Sequence, residues 1–494
     1  MKAGNKQMNS RQMKMAGFAF LLSNVLAGLD GTIVATALPA IVSDLHGIAL
    51  MSWIITAYML FMAVSAPIWT KLSERFGQKT IMQVGTTLFI LGSVIGGFAG
   101  NIITLIIARA IIGIGAGAML QLPFVIYGSM YAPAERRLVI GRVLAAYSMA
   151  SIVGPLLGGW FVDIASWRAT FFISLPIGIL MMVLVGIYFK QVDFKPNLHR
   201  IDVPGALTLA LMVISLMMAM QSLSQTVIAW HILVIWFVLA LISGIAWWQI
   251  ELHAGNPIVP LHLFKNRSFI SKVFVSFFQY GFFGFYTNYL PTWSQGVLGT
   301  TATVAGFVLI PSSIAMILYG RMQSRLEARF SEQQMIRNGL LLMIFGGLVL
   351  VLTPHSTLIL LLVLAGIFGL GTAMVNNTIQ VATQEAVAPT EIGAATALNS
   401  LIRTLGTTML VSTFALAMNR VNAHGIQHTK GVTTNLMNKI TDATAARQLS
   451  PDIVPVLRNL LHSGLTMIAL LATIAVIISL VINWKDPWQK PGQN

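Results

Sequence analysis

Cysteine is absent from this chain, and charged residues are scarce. Disulfides are therefore excluded, and cysteine usage gives no indication of the redox compartment. Only 9% of the 494 residues are charged, compared with about 25% in a soluble domain, and 56% are hydrophobic. This composition predicts an integral membrane protein. The net charge of +15 comes from cations in short loops between apolar segments, so we expect no nucleic-acid partner.

Signatures of cofactors and catalysis are also missing. The nine histidines show no metal-ligand spacing, and the glycine-rich stretch at Ile112 lacks the Gly-Lys-Ser/Thr of a phosphate loop. There is no ATP-binding motif, and the apolar segments hold no cluster of nucleophile, metal ligands or paired acids. We therefore expect no enzymatic activity, no metal and no cofactor, with an ion gradient as the energy source.

Apolar segments of membrane-spanning length follow one another along the chain. A helix needs about 20 apolar residues to cross a bilayer core. Fourteen segments meet this requirement, and we predict an all-α protein with fourteen spans. They cover roughly residues 15–38, 51–70, 80–99, 102–127, 141–162, 169–189, 203–223, 228–248, 268–290, 303–321, 335–353, 356–380, 393–418 and 462–483. The first is too long for a signal peptide, so we interpret it as a retained span.

Lysine and arginine accumulate in alternate loops, and this pattern predicts the orientation. The N-terminal stretch and the loops after even-numbered spans hold most of them, for example Lys14, Lys71, Arg75 and Lys79. Because cytoplasmic loops carry the excess of positive charge, we expect both termini in the cytoplasm.

A weak internal repeat divides the chain. ERFGQK from Glu74 is matched by SRLEAR from Ser324, and IGIGAGAM from Ile112 by FGLGTAM from Phe368. Spans 1–6 and 9–14 are then two copies of a six-helix bundle, joined by an inserted helix pair. Two such halves are typical of a rocking transporter with its site between them. The predicted domains are residues 1–200, 201–250 and 251–494, the last with an extracytoplasmic loop at 419–461.

Asp30 is the only acidic residue in the first span, within the stretch LDGTIVATALP. Counting from Met15, its carboxyl group lies about 22 Å into a bilayer core about 30 Å thick. An acid at that depth costs at least ~2.5 kcal/mol, so it needs a cation, a proton or a water-filled cavity. We interpret Asp30 as a site at which a proton and a cationic substrate compete.

Arg109 lies in the fourth span, within ARAIIGIGAGA. We predict that it acts as a polariser or relay opposite Asp30. The alternative is an arginine that snorkels to the outer membrane surface. The glycines of the same stretch allow neighbouring helices to approach closely.

The loop after the second span reads TKLSERFGQKTIM from Thr70. A carboxylate with flanking cations at helix ends can form a charge lock that closes one face of a transporter, and a glycine permits the tight turn. The alternative is a solvated loop whose cations only set topology. The predicted gate residues are Lys71, Glu74, Arg75, Gly77 and Lys79.

The fifth span carries GRVLAAYSMASIVGPLLGG from Gly141. A proline inside a span removes a backbone hydrogen bond and kinks the helix, and glycines make a closely packed, bendable seam. The alternative is an ordinary kinked helix. The seam residues are Gly141, Gly154, Pro155, Gly158 and Gly159.

Other polar residues within spans either line a cavity or hold helices together by hydrogen bonds, which contribute about 0.6 kcal/mol each. Arg403 either pairs with Glu385 or snorkels inward. The candidate lining residues are Gln121, Gln279, Tyr280, Tyr286, Asn288, Asn376, Asn377, Gln380 and Arg403.

These motifs resemble those of the major facilitator superfamily. The loop is similar to its Gly-x-Leu-Ala-Asp-Arg-x-Gly-Arg-Lys motif, with Glu74 at the Asp position. The fourth span is similar to Arg-x-x-x-Gly-x-Gly, and the fifth to the antiporter motif, with Ala150 replacing one glycine. Together with LDGTIVATALP, SWRATFFISLPIG, NPIVPLHLFKNRSF and YLPTWSQGVLG, they resemble the fourteen-helix drug:H+ antiporter family.

This resemblance implies the major facilitator fold and proton-driven efflux of amphipathic, cationic or neutral small molecules by alternating access. It places the chain in the cell membrane, where substrate, protons and membrane lipid are its expected partners and a monomer is its expected form. Two alternatives remain at this stage. One is a flippase for a lipid or lipid-linked substrate, and the other is a metabolite exporter or symporter on the same fold.

Overall fold

The computed structural model describes residues 9–45, 51–131, 133–191, 202–223, 229–255, 257–353, 356–388, 391–429, 431–440, 446 and 449–484. Long helices account for nearly all of these ranges, and no strand occurs in them. The all-helical prediction is confirmed.

The helices of the first part of the chain are α1 (Ser10–Leu45), α2 (Met51–Phe76), α3 (Gln78–Gly97), α4 (Ile102–Met130), α5 (Pro133–Ile164), α6 (Ala169–Phe172), α7 (Ser174–Tyr188), α8 (Val203–Leu223) and α9 (Trp230–His253). A short 3₁₀ helix (Leu261–Lys265) leads into the remaining helices. These are α10 (Arg267–Thr292, continued by a π-helical turn at Trp293–Val297), α11 (Ala302–Phe307), α12 (Ile310–Glu327), α13 (Glu332–Leu352), α14 (Leu358–Glu385), α15 (Ile392–His428), α16 (Thr434–Ile440) and α17 (Val454–Trp484).

Twelve stretches of the described chain are long and apolar enough to cross a membrane. Two further helices have spanning length but are not among the twelve. They are α5, with 32 residues, and α10, with 26 residues. In α10, Tyr, Gln, Asn and Ser side chains lower the mean hydropathy. The multi-pass architecture is therefore confirmed, whereas fourteen spans remain a prediction.

Several helices begin at a residue whose side chain accepts a backbone N–H of the first turn. Asn101 accepts from Thr104 N at 2.8 Å ahead of α4, and Asn266 accepts from Phe269 N at 3.1 Å ahead of α10. Ser331 and Gln334 form a reciprocal capping box at the start of α13. Such caps satisfy N–H groups that the helix itself leaves without acceptors.

The chain folds into two compact units. The first comprises Met1–Ile214, Ala240–His262 and Val387–Leu401, and the second comprises Ser215–Leu239, Leu263–Ala386 and Ile402–Asn494. In the first unit α1 packs on α5, and α4 packs on α2 and α3. In the second, α14 packs on α12 and α13, and α17 packs on α10 and α13.

The close helix contacts of the two units support the internal repeat. A Cβ atom on Gly115 of α4 would lie 2.5 Å from the carbonyl oxygen of Gly85 in α3. A Cβ atom on Gly371 of α14 would likewise lie 2.7 Å from the carbonyl oxygen of Gly339 in α13. Each unit thus brings two helix backbones together at a pair of glycines.

The predicted loop at 419–461 is partly helical, which corrects that expectation. α15 continues to His428, α16 occupies Thr434–Ile440, and α17 already begins at Val454. Thirty-seven residues at 1.5 Å each make α15 about 55 Å long, more than a bilayer core. Hydropathy marks the edge of an apolar run, whereas a helix continues through polar residues as long as its backbone bonds form.

Candidate functional site

A buried ion pair joins α1 to α4 in the first unit. Arg109 Nη1 lies 2.6 Å from Oδ2 of Asp30, and each side chain is at most 1% exposed. Arg109 therefore does not snorkel to the surface of the unit. Because buried charges are weakly screened and costly to desolvate, each of the two depends on the other for compensation.

The helix α2 encloses the pair from a third side. Arg109 Nε donates to the carbonyl oxygen of Ile54 at 3.1 Å, and its guanidinium carbon lies 4.3 Å from the ring centroid of Tyr58. The Tyr58 hydroxyl donates to the carbonyl oxygen of Ala27 in α1 at 3.1 Å. Tyr58 thus ties α1 to α2 and offers its ring face to the cation. Sequence reasoning missed it, because a single tyrosine in an apolar span carries no distinguishing signal.

The second carboxylate oxygen of Asp30 is the atom of the site that is available to a proton or a ligand. Oδ1 is buried and has no hydrogen-bond partner among the described residues. A buried acceptor without a donor is unfavourable by about 1–3 kcal/mol. A proton on this oxygen, or a cationic or hydrogen-bonding group of a ligand, would relieve that cost.

Glycines of α5 pack directly on the segment of α1 that carries Asp30. A Cβ atom on Gly158 would lie 2.5 Å from the carbonyl oxygen of Ile33, and one on Gly154 would lie 3.1 Å from that of Leu29. From the other side, a Cβ atom on Gly28 would meet the α5 backbone at 2.9 Å. The two helices approach closely at these glycines, where the hydroxyl groups of Thr32 and Thr36 in α1 also lie against α5. Such close contact is what small-residue packing produces.

Three seam residues remain, namely Gly141, Pro155 and Gly159. Gly141 is buried near the start of α5. Pro155 and Gly159 lie in the same helix, but their surroundings fall outside the described part of the structure. The proposed kink at Pro155 therefore stays a prediction.

Glycines of α4 bring Arg109 against α2. A Cβ atom on Gly113 would lie 3.1 Å from backbone atoms of Tyr58, and one on Gly117 would lie 2.9 Å from the carbonyl oxygen of Met62. Any larger side chain would push the two helices apart and draw the guanidinium away from Ile54. The glycine motif of the fourth span thus positions the cation.

The predicted gate loop forms a tight turn between α2 and α3. Gly77 has φ 90° and ψ 142°, a conformation that favours glycine. Lys71 Nζ lies 3.3 Å from Oε2 of Glu74, and Lys79 Nζ donates to the carbonyl oxygen of Gly186 at 2.6 Å. The guanidinium of Arg75 lies 5.5 Å from the ring centroid of the neighbouring Phe76.

The first turn of α15 lies against this loop within the first unit. A Cβ atom on Gly393 would come within 2.8 Å of Thr70 Cγ2 and 3.5 Å of Glu74 Oε1. The N-terminus of a helix carries partial positive charge, which favours a nearby carboxylate. Glu74 is therefore placed to interact with Lys71 and with the start of α15.

In the second unit, Arg403 contacts polar side chains of α10 and α14. Its guanidinium carbon is 4.0 Å from the ring centroid of Tyr280, and its Nη1 donates to Oε1 of Gln380 at 3.2 Å. Thr407 donates to the carbonyl oxygen of Tyr280 at 3.3 Å. α10, α14 and α15 thus meet at three of the candidate lining residues.

The other candidate lining residues of α10 have different environments. Gln279 is fully buried, and neither of its side-chain amide atoms has a hydrogen-bond partner among the described residues. Tyr286 packs in an aromatic core with Phe282 and Phe368. Asn288 is exposed and donates to a backbone oxygen of its own helix.

The rest of the set is buried in α4 and α14. Asn377 Nδ2 donates to Oε1 of Gln323 at 3.0 Å, which is a hydrogen bond between helices. Asn376 and Gln121 are 7% and 8% exposed. Whether these residues line a substrate cavity stays a prediction.

The sequence did not indicate two polar clusters of the first unit. At one end of α1, Asp44 Oδ2 accepts hydrogen bonds from Arg168 Nη1 at 2.7 Å and from Trp167 Nε1 at 3.0 Å. Glu251, beyond the predicted end of the eighth span at 248, lies within α9 and is only 3% exposed. Asp44 pairs with residues 123 and 124 positions away, which periodicity cannot indicate. Glu251 bonds to the nearby Trp247 and Val259, but it lies beyond the stretch that hydropathy marks as a span.

The described residues thus form a multi-pass helical bundle with a repeated glycine contact and a buried ion pair. The family model described as Major Facilitator Superfamily matches residues 20–410. The chain belongs to this superfamily.

Two curated proteins of Bacillus subtilis (strain 168) are similar to this chain. Multidrug transporter protein MdtP is 33% identical over 405 residues, which cover 81% of this chain and 74% of that protein. Multidrug resistance protein 3 is 29% identical over 482 residues, covering 95% and 94%. Among solved structures, the proton:xylose symporter XylE bound to 6-bromo-6-deoxy-D-glucose has a TM-score of 0.65 at 13% identity, covering 97% of each chain. That likeness shows the fold alone.

Proposed function

We propose that this protein exports amphipathic small molecules, cationic or neutral, in exchange for protons. The observation that carries the proposal is the buried pair of Asp30 and Arg109, in which one carboxylate oxygen has no partner among the described residues. The names of the two Bacillus relatives, a multidrug transporter and a multidrug resistance protein, support efflux of drugs.

The exchange follows from competition at Asp30. Burial disfavours the charged carboxylate, whereas Arg109 favours it. A proton bound at Oδ1 and a cationic substrate near Oδ1 exclude each other, because either satisfies the same oxygen. When Asp30 is protonated, Arg109 keeps its bond to Ile54 and its contact with the Tyr58 ring. One monovalent cation would then leave for about one proton that enters.

We also propose the architecture and the membrane location that the resemblance implies. They are the fourteen-helix drug:H+ antiporter architecture, with α8 and α9 as an inserted pair, and a location in the cell membrane with both termini in the cytoplasm. The protein would act as a monomer without a cofactor and by alternating access. The long helices α5 and α10 support the higher span count, since each has the length of a span.

Transport into vesicles with an imposed pH gradient tests this function. The panel holds a monovalent hydrophobic cation, a divalent cation, a neutral amphiphile and a fluorescent phospholipid. We expect the monovalent cation to accumulate against its gradient when the pH gradient is present, and the divalent cation to be transported poorly. Transport of the phospholipid alone would assign the chain to the flippases instead.

The glycine seam gives a prediction about movement. Gly154→Leu and Gly158→Leu should each lower transport roughly tenfold or more, because overpacking a close helix contact costs about 1–3 kcal/mol. Insertion into the membrane and expression should be preserved. Gly306→Leu is the matched control, since a Cβ atom at Gly306 of α11 meets no atom within 4 Å. Wild-type transport rates in both seam variants would remove the main support for the antiporter motif.

The gate loop gives a second prediction. Glu74→Gln removes the charge that faces Lys71 and the start of α15, and a carboxylate at a helix N-terminus contributes about 0.3–1 kcal/mol. The population should therefore shift toward the inward-open state about two- to fivefold. Distances between two spin labels across the gate face, measured by double electron–electron resonance, report this shift. The absence of natural cysteines simplifies site-specific labelling. Glu135→Gln, at an exposed acid of α5, is the control. Unchanged distances in Glu74→Gln would refute the gate role.

A further inference from the structure

The segment between α9 and α10 is fixed to the end of α9. We call the described residues of this segment, 254–255 and 257–266, the linker. Glu251 in the last turn of α9 accepts hydrogen bonds from Trp247 Nε1 at 3.0 Å and from Val259 N at 3.1 Å, both on Oε1. The second bond reaches out of the helix and holds the backbone of the linker. Because Glu251 is only 3% exposed, water competes little for this bond.

The far end of the linker contacts the loop that precedes α15. His262 Nε2 lies 2.6 Å from Oε1 of Glu391, the residue immediately before α15. Asn266 Nδ2 donates to the carbonyl oxygen of Ala386 at 3.0 Å, where α14 ends. The linker therefore holds both ends of the α14–α15 loop.

That loop leads directly into the gate. Gly393, two residues after Glu391, lies against Thr70 and Glu74 at the end of α2. A displacement of Glu391 would move the first turn of α15, in which Gly393 lies close to the Glu74 carboxylate. A continuous set of contacts thus runs from α9 through the linker to the gate loop.

We infer that the linker acts as a clasp that holds the start of α15, and that protonation of His262 tightens it. Through this clasp α9 acts on the gate. Glu251 is a positioning residue of this clasp. The helix α9 then has a regulatory role in transport. That consequence for export rests on the proposed function, whereas the clasp itself does not.

The charge of the His262 imidazole sets the strength of its contact with Glu391. The charged group in contact with His262 is the Glu391 carboxylate. Lys265 and Arg267 follow on the same stretch of chain, and Glu385 ends α14 on the other side of the loop. Histidine is the side chain that changes charge near physiological pH, so the ion pair with Glu391 gains strength as the medium is acidified.

A spin label in the α14–α15 loop tests the clasp without any transport. The natural chain has no cysteine, so Ala388→Cys provides a single labelling site at an exposed position of the loop. Electron paramagnetic resonance spectra of the full chain in nanodiscs are recorded at pH 6 and pH 8. Low ionic strength is used, since salt screens exposed pairs. The variants are His262→Gln, His262→Lys and, as the control, His253→Gln. His253 is exposed, and its hydrogen bond within the described part of the chain is with the backbone oxygen of Gln249 in its own helix.

We expect the ratio of immobile to mobile label to rise on acidification in the wild type, by up to about fivefold, the range typical of an exposed ion pair. His262→Gln should give the mobile spectrum at both pH values, His262→Lys the immobile one at both, and His253→Gln the wild-type response. An unchanged pH response in His262→Gln, or a wild-type response in His262→Lys, overturns the clasp. Both results are independent of whether the protein exchanges drugs for protons.

Discussion

Asp30→Asn is expected to abolish transport driven by a pH gradient. Asparagine has nearly the shape of a protonated aspartate, so Arg109 keeps its contacts with Ile54 and Tyr58. The variant cannot change charge, however, and a hydrogen bond to a charged group contributes about 1.5–3 kcal/mol. We therefore expect affinity for a monovalent cation to fall roughly ten- to hundredfold, while neutral ligands still bind.

Uptake of a fluorescent monovalent cation by proteoliposomes measures this effect. Asp44→Asn is the matched control, because Asp44 lies on the same helix and also pairs with an arginine, but its side chain is 48% exposed. Asp44→Asn should retain pH-driven uptake. Equal losses of pH-driven uptake in the two variants would mean that the burial of Asp30 has no special role in transport.

Arg109→Met is expected to produce the largest loss of stability. Methionine fills similar volume but leaves the buried Asp30 without its cation, and removal of one partner of a buried pair costs about 3–5 kcal/mol. The double variant Asp30→Asn with Arg109→Met should recover much of this loss, because the buried charge is then gone as well. Neither variant should support pH-driven transport.

Thermal unfolding of the purified variants provides the measurement. Arg168→Met is the control, since its pair with Asp44 is 37% and 48% exposed and such surface pairs contribute at most about 1 kcal/mol. The melting temperature should fall far more in Arg109→Met than in Arg168→Met. Additive losses in the double variant would show that Asp30 and Arg109 are not energetically coupled.

The core of the site was open to prediction because charges inside apolar segments are rare. A single acid in the first span and a single cation in the fourth have few possible partners, and the structure brings Asp30 and Arg109 together. The glycine motifs were equally informative, because a row of small residues on a span indicates where two helices touch. Gly154 and Gly158 of α5 pack against the segment of α1 that holds Asp30.

Most other contacts between distant segments were not open to prediction. Tyr58 and His262 have nothing in their local sequence that indicates a partner, and the structure pairs them with Arg109 and Glu391. The periodicity of apolar residues indicates which face of a helix is buried, but not which helix packs against that face.

Hydropathy also placed several helix ends too early. It ended the eighth span before Glu251, although α9 continues to His253, and it ended the thirteenth span before the last ten residues of α15. Hydropathy measures transfer to lipid, whereas a helix ends where its backbone hydrogen bonds end.

Substrate-induced proton release from the purified protein tests the exchange at Asp30 most directly. Weakly buffered protein in detergent is mixed with a monovalent hydrophobic cation, and a pH indicator records the protons released. Competition for one oxygen predicts release of about one proton per bound cation in the wild type and none in Asp30→Asn. Equal release from Asp30→Asn and from the wild type would show that another group couples protons to transport.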